Sequence, residues 1–223
     1  MSPDDVLTWL RAEASEDHRA SLARYGIPLE GSLGVPMGVM KNNAKAWGYD
    51  HPCALELWKD GSYEARTMAA HLADPALLDG ATMDAWTADF DNWAICDTCC
   101  YQLFAKTRPR WEKVHAYAGR DEEFVKRTSF ALIWALTRHD KGASDSSFTD
   151  TFPLIEDAAS DPRPLVSKAV DMALRAIGKR NAALNKAATD LAEELANSSD
   201  KNKAKVGRKC ARELTSEKVR SKL

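Results

Sequence analysis

No stretch of the 223 residues approaches the roughly 18 consecutive apolar residues that a bilayer-spanning helix requires. The opening "MSPDDVLTWLRAEASEDH" carries acids and lacks the apolar core of a secretory leader, so we expect a cytoplasmic protein with no membrane partner. Cysteine is scarce and odd in number, five in all, which reads as reduced thiols rather than a disulfide framework. Cys96 and Cys99 form one C-x-x-C, but no second pair and no histidine at ligand spacing accompany it. Buried helical thiols are therefore expected there instead of a metal site. No serine sits in a nucleophile elbow, and "GSLGVPMG" lacks the lysine and Ser/Thr of a phosphate-cradling loop. A period-two apolar alternation is missing as well, which argues against a sheet.

What the chain has is helical periodicity along nearly its whole length. Breaks fall at "KDGS", "ADPALLDG", "KTRPR", "AGRDEE", "RHDKGASDSSFTD", "ASDPRP" and "ANSSDKNK", each a turn signal between amphipathic segments. Near the start, Gly34, Pro36 and Gly38 crowd together, which predicts a loop leading into a helix over residues 39–47. Trp9, Trp47, Trp58, Trp86, Trp111 and Trp134 are expected between helices. The paired acids Asp4–Asp5 and Glu122–Glu123 are read as helix N-terminal charges that favour the macrodipole. The five histidines are scattered, and His71 within "MAAHLAD" reads as a surface or satisfied core residue instead of a base.

Charge is nearly balanced overall at -2, but it is not evenly spread. Residues 163–223 carry +8 and residues 1–162 carry -10, so a basic last third is available to a polyanion or simply to solvent. A weak internal repeat organises the cations. The segments "SYEARTMAA", "EFVKRTSFA", "PLVSKAVDMA" and "NKAKVGRKCARE" place Arg66, Arg127, Lys168 and Arg208 at matching positions. Their spacing of about 40 residues, about 30 in the early units, fits an α-helical solenoid of stacked helix pairs. In the unit between Arg66 and Arg127 the same place is held by "NWAICDT", so Asp97 stands in a file of cations one helical turn after Trp93. Equivalent positions of stacked second helices line one concave face, where cations would follow a phosphate backbone and a lone carboxylate would meet something else.

The order and spacing of "SLGVPM", "LWKDGSYEARTMAA", the W-x-x-x-D of Trp93 to Asp97, "EEFVKRTSFAL" and "VSKAVDMALRAIGKRN" resemble the DNA alkylation repair enzyme family, the AlkD-type HEAT-like repeat DNA glycosylases. The resemblance runs from around Tyr25 to around Leu214. It implies an all-α HEAT-like helical repeat solenoid with a concave basic groove. One domain over residues 1–223 is expected, with an N-terminal helical cap over 1–50 and a short basic tail over 217–223.

The resemblance places the family's catalytic aspartate on Asp97, its lesion-side tryptophan on Trp93 and its arginine of the following repeat on Arg127. A second tryptophan of the family falls on Met172, within Lys168-Ala169-Val170-Asp171-Met172. An aromatic face there attracts a cationic base by about 0.5–2 kcal/mol when desolvated, which methionine does not supply. Weaker activity or a shifted lesion preference is therefore expected. Arg66, Lys126, Lys168, Arg175 and Arg208 are expected on DNA phosphates. The implied activity is removal of N3- or N7-alkylated purines from double-stranded DNA, by a monomer with no cofactor and no metal. The alternative, in another class, is a non-catalytic repeat protein that binds damaged DNA or a protein partner.

Overall fold

The computed structural model describes residues 1–223. It is all-helical, with no strand. In chain order the helices are α1 (Pro3–Ala12), α2 (Glu16–Leu22), α3 (Met37–Trp47), α4 (His51–Trp58), α5 (Tyr63–Leu72), α6 (Gly80–Ala88) and α7 (Trp93–Gln102). They continue as α8 (Arg110–Ala118), α9 (Glu123–His139), α10 (Asp145–Thr149), α11 (Phe152–Ala158), α12 (Pro164–Ile177), α13 (Ala182–Ala196), α14 (Lys201–Leu214) and α15 (Glu217–Arg220). Single turns of 3-10 helix lie at Ala23–Tyr25 and Phe104–Lys106. The predicted breaks coincide with the gaps between helices or overlap only helix ends, except that the long break 138–150 contains all of α10. None of the helices is long and apolar enough to cross a membrane. Packing divides the chain into two compact units, Met1–Pro109 and Arg110–Leu223.

Local chemistry sets the helix starts. Ser2, Ser15, Asp50, Ser62, Asp79, Asn92, Ser144, Asn181 and Asp200 each turn a side-chain oxygen onto a backbone N–H of the first turn. The acids Asp4 and Asp5 sit in the first turn of α1, and Glu122 and Glu123 open α9, where the macrodipole favours them.

In the first unit α5 is the hub, packed against α1, α3, α4 and α7. Its buried carboxylate, Glu64, is 0% exposed and gathers the loop before α3. It accepts hydrogen bonds from Ser32 Oγ at 3.1 Å, Leu33 N at 3.0 Å, Gly34 N at 2.7 Å and Val35 N at 3.3 Å. A buried charge is tolerable only when its lone pairs are met, and here backbone donors meet them. Burial first, and then the Glu64 charge, push the neighbouring Tyr63 hydroxyl up to about 12. Gly34 has a φ of +75°, and a Cβ there would stand 2.3 Å from Ser15 O, so only glycine lets this loop lie against the start of α2. Ser15 N in turn donates to Leu33 O at 3.1 Å. Aromatic pairs fill the spaces between helices as expected: Trp9 meets Trp47 edge-on at 5.0 Å, and Trp58 stacks on Trp86 at 4.0 Å.

In the second unit the second helices stack in a row, α9 on α12 and α12 on α14, while α8 backs α9 and α13 backs α14. Buried Val166, Ala169, Val170, Ala173, Leu174 and Ile177 give α12 its 3.6-residue apolar stripe. At Gly207 the approach of α14 to α13 is backbone to backbone, since a Cβ would lie 2.2 Å from Ala196 N. Trp111 packs edge-on to Phe148 at 5.2 Å.

Replacing Glu64 with Gln turns an amide NH2 toward backbone N–H donors. The substitution is expected to cost about 2–4 kcal/mol of stability, read as a lower urea midpoint at unchanged slope.

Candidate functional site

The site residues of the first unit are placed by the loop that enters α7. Asn92 is the buried N-cap, its side chain accepting from Ile95 N at 3.0 Å, and this fixes Trp93 as the first residue of the helix. Trp93, Asp97 and Tyr101 then recur every fourth residue on one half-buried face, while Ile95, Cys96, Cys99 and Cys100 turn inward. Trp93 and Asp97 stand one above the other on the same helix face, as the spacing predicts. All five cysteines are buried free thiols. Burial first, then hydrogen bonding to Cys96 and the nearby Asp97 charge, hold the Cys100 thiol well above its ordinary pKa.

Trp93 is not a loose surface ring. Its indole N–H donates to Tyr25 O at 2.6 Å, and the ring packs with Leu29 and Tyr63 on the cluster of Leu22, Ile27 and Ala94. The N-terminal segment pinned by Glu64 thus runs straight onto the site tryptophan.

Arg66, expected on a DNA phosphate, has partners within its own unit. It donates from Nη1 to Asp89 O at 2.8 Å, lies 4.0 Å from the carboxylates of Asp89 and Asp91, and covers the Trp58 ring at 5.2 Å, leaving its side chain 15% exposed. Trp58 joins the same loop by donating its indole N–H to Asp89 Oδ2 at 2.8 Å. Arg66 therefore staples the loop before α7 and, through Asn92, sets the start of the helix that carries Asp97.

In the second unit the expected phosphate ligands separate into two groups. Arg127 is 2% exposed and donates from Nη1 to Leu165 O at 2.6 Å, tying α9 to the start of α12. Lys126 lies 3.5 Å from Asp161, whose carboxylate also takes two hydrogen bonds from the Arg163 guanidinium, at 2.9 and 2.6 Å. Arg163 holds the Asp161 pKa down to about 2, against the opposing effect of burial. Arg175 pairs with Asp171 and donates from Nη1 to Glu213 at 2.6 Å, and Lys209 closes on Asp171 as well, so this cluster clamps α12 to α14. Each of these three expected contact residues has a carboxylate or carbonyl at bonding distance inside its own unit.

Lys168 and Arg208 form the second group and are exposed, while Met172 is half-buried on α12 beside Asp171. The register of Arg208 also needs correction. Asp97, Arg127 and Lys168 each lie five residues past their N-caps Asn92, Glu122 and Arg163, and Arg66 four past Ser62. Five past Asp200 is the exposed Lys205, and Arg208 stands nearly a turn further on.

Glu64, Tyr25, Asp171 and Lys205 escaped the sequence reading. The signal for Asp171 was present: an acid at i to the i+4 Arg175 within an apolar stripe. Glu64 offered a lone acid among small residues in "SYEARTMAA", but its partners are a serine hydroxyl and three backbone amides 29 to 32 residues earlier, which no local pattern reveals.

The sequence model of the family described as DNA alkylation repair enzyme matches residues 6–214. Among solved structures, the chain is similar to one described as a new family of proteins related to the HEAT-like repeat DNA glycosylases with affinity for branched DNA structures. The TM-score is 0.78 at 19% identity, over 96% of this chain and 95% of that one, so the fold is the HEAT-like repeat fold. A designed armadillo repeat protein aligns at a TM-score of 0.36 and 12% identity, over 80% of this chain and 93% of its own. No curated protein matches the chain.

Arg66→Ala is expected to lower stability by about 1–2 kcal/mol because it releases the loop before α7. Arg208→Ala, on an exposed position, is expected to change it by under about 0.5 kcal/mol. Urea titrations of the two variants side by side check the difference.

Proposed function

Because the chain belongs to the family of DNA alkylation repair enzymes, we propose that it removes cationic N3- or N7-alkylated purines from double-stranded DNA by hydrolysing the N-glycosidic bond. It acts as a monomer without metal or cofactor. The observation that carries this reading is a carboxylate, Asp97, set half-buried one turn after Trp93 on the open face of α7.

The chemistry asks little of the protein. An alkylated purine is already cationic, so when the C1′–N bond breaks the base takes the bonding pair and leaves neutral. The sugar is left with oxocarbenium character. Asp97 opposes that charge by electrostatics and orients a water, whose oxygen bonds to C1′ while its proton passes to the carboxylate or to solvent. Trp93 lies against the sugar and its flanking backbone. The exposed Lys168, Lys205 and Arg208 would follow phosphates along the second helices of the second unit. Residues 1–50 would serve as an N-terminal cap of the first unit and 217–223 as a basic tail of the second.

A second reading is favoured by specific observations. Met172 stands where the family resemblance expects an aromatic, and Arg127 is spent on Leu165. Both remove support for a lesion while leaving the exposed cations in place. On this reading the protein binds branched or damaged DNA without excising a base, in keeping with the affinity described for the structurally similar protein.

Duplex DNA carrying 7-methylguanine or 3-methyladenine separates the two. Release of free base is expected from the wild type, with a rate about 10²- to 10³-fold lower for Asp97→Asn. Release that survives the substitution removes Asp97 from the chemistry. No release from the wild type, together with tighter binding of a four-way junction than of plain duplex, establishes the second reading. Met172→Trp is expected to raise the excision rate by about 2- to 30-fold, as the restored ring gains about 0.5–2 kcal/mol against a cationic base.

A further inference from the structure

The first unit contains a cleft of about 310 Å³ where the C-terminal ends of α3, α5 and α7 meet the 3-10 turn Phe104–Lys106. Its walls carry Lys41 and Lys45 from α3, Tyr49 just beyond it, His71 from α5, Gln102 from α7 and Lys106 from the turn. No carboxylate lines it.

That concentration of positive charge needs an explanation. Lys45 lies in the last turn of α3 and His71 in the last turn of α5, where a cation answers the helix dipole. The dipole does not account for Lys41, a like charge placed one turn below Lys45, nor for Lys106 arriving from a separate segment. His71, read from the sequence as a surface or satisfied core residue, is neither: it is half-buried and its Nε2 has no hydrogen-bond partner. Burial first, then Lys41 and Lys106, drive its pKa from 6.5 to about 4, so it stands neutral among cations. Desolvation lowers the Lys106 pKa too, although by surface area that residue is exposed. A recess lined by three lysines, in which burial and the charges of Lys41 and Lys106 keep an imidazole neutral, is a place where an anion would balance the charge.

The remaining wall residues narrow the anion. Tyr49 is 60% exposed at the rim and offers aromatic surface to a ligand, and Gln102 adds an amide able both to donate and to accept. The volume is at the small end of pockets for organic ligands and is too small for a folded strand.

We propose that this cleft binds a nucleoside 5′-phosphate unit, with the phosphate between Lys41, Lys45 and Lys106 and the base laid on Tyr49. The unit is either a free nucleotide or the terminal nucleotide of a DNA strand. The site is separate from the chemistry assigned to Asp97 and does not rest on it.

The test follows the His71 imidazole by NMR in the full-length protein while dAMP, deoxyadenosine, inorganic phosphate, or a short single strand with or without a 5′-phosphate is added. The expected result is that dAMP moves the His71 resonance and raises its pKa, that deoxyadenosine does not, and that inorganic phosphate binds more weakly than dAMP. Lys41→Ala/Lys106→Ala is expected to weaken dAMP about tenfold or more, and Tyr49→Ala is expected to weaken dAMP while leaving inorganic phosphate unchanged. Asp97→Asn leaves all of these affinities as they are. Tighter binding of the 5′-phosphorylated strand than of dAMP assigns the site to a strand end, and equal or weaker binding assigns it to a free nucleotide. The proposal is overturned if dAMP leaves His71 unmoved, if the double variant binds dAMP like the wild type, or if inorganic phosphate binds as tightly as dAMP.

Discussion

The first unit depends on one buried carboxylate being surrounded by donors from a loop that has no secondary structure of its own. Glu64 holds three consecutive backbone N–H groups, those of Leu33, Gly34 and Val35, together with the Ser32 hydroxyl. Without that anion the loop would leave several amides unpaired against the wall of α5, which the interior does not tolerate. Because Ser15 is bonded to Leu33 and the segment through Leu22, Ile27 and Leu29 rests on Trp93, the same anchor reaches the site tryptophan through the N-terminal helices. The side chain that orders the fold and the side chain proposed for chemistry are both acids of second helices, but they differ in surroundings. Glu64 is fully enclosed by donors, whereas Asp97 lies on a half-open face.

A similar division separates the cations. Arginine is suited to fixed, multi-donor contacts, and here Arg66, Arg127, Arg163 and Arg175 are each spent on carbonyls or carboxylates within their own unit. Lys168, Lys205 and Arg208 stay at the surface. The positive file read from the sequence is thus partly a set of internal ties.

The helices and their breaks were legible because both signals are local: a 3.6-residue stripe and clusters of Gly, Pro, Ser and Asp. The helix after Pro36 begins at Met37 and ends at Trp47, close to the 39–47 expected. The five-residue α10 was missed because it is too short to show a period. The face shared by Trp93 and Asp97 was legible for the same reason as the helices. Where an arginine ends was not, since Arg127 and Leu165 are 38 residues apart and nothing in either neighbourhood names the other. Arg208 was aligned by resemblance of residue types, and the N-cap at Asp200 shows that the helix register runs differently. A buried acid such as Asp171 looks in one dimension like any solvated charge, and only the approach of Lys209 and Arg175 distinguishes it.

Tryptophan has a single polar atom, and in Trp93 it is spent on Tyr25. Whatever settles on this ring from outside meets π surface and carbon alone, with no donor left to choose between one base edge and another. Such a contact is blind to hydrogen-bonding pattern: it senses only the shape and charge of what lies upon it.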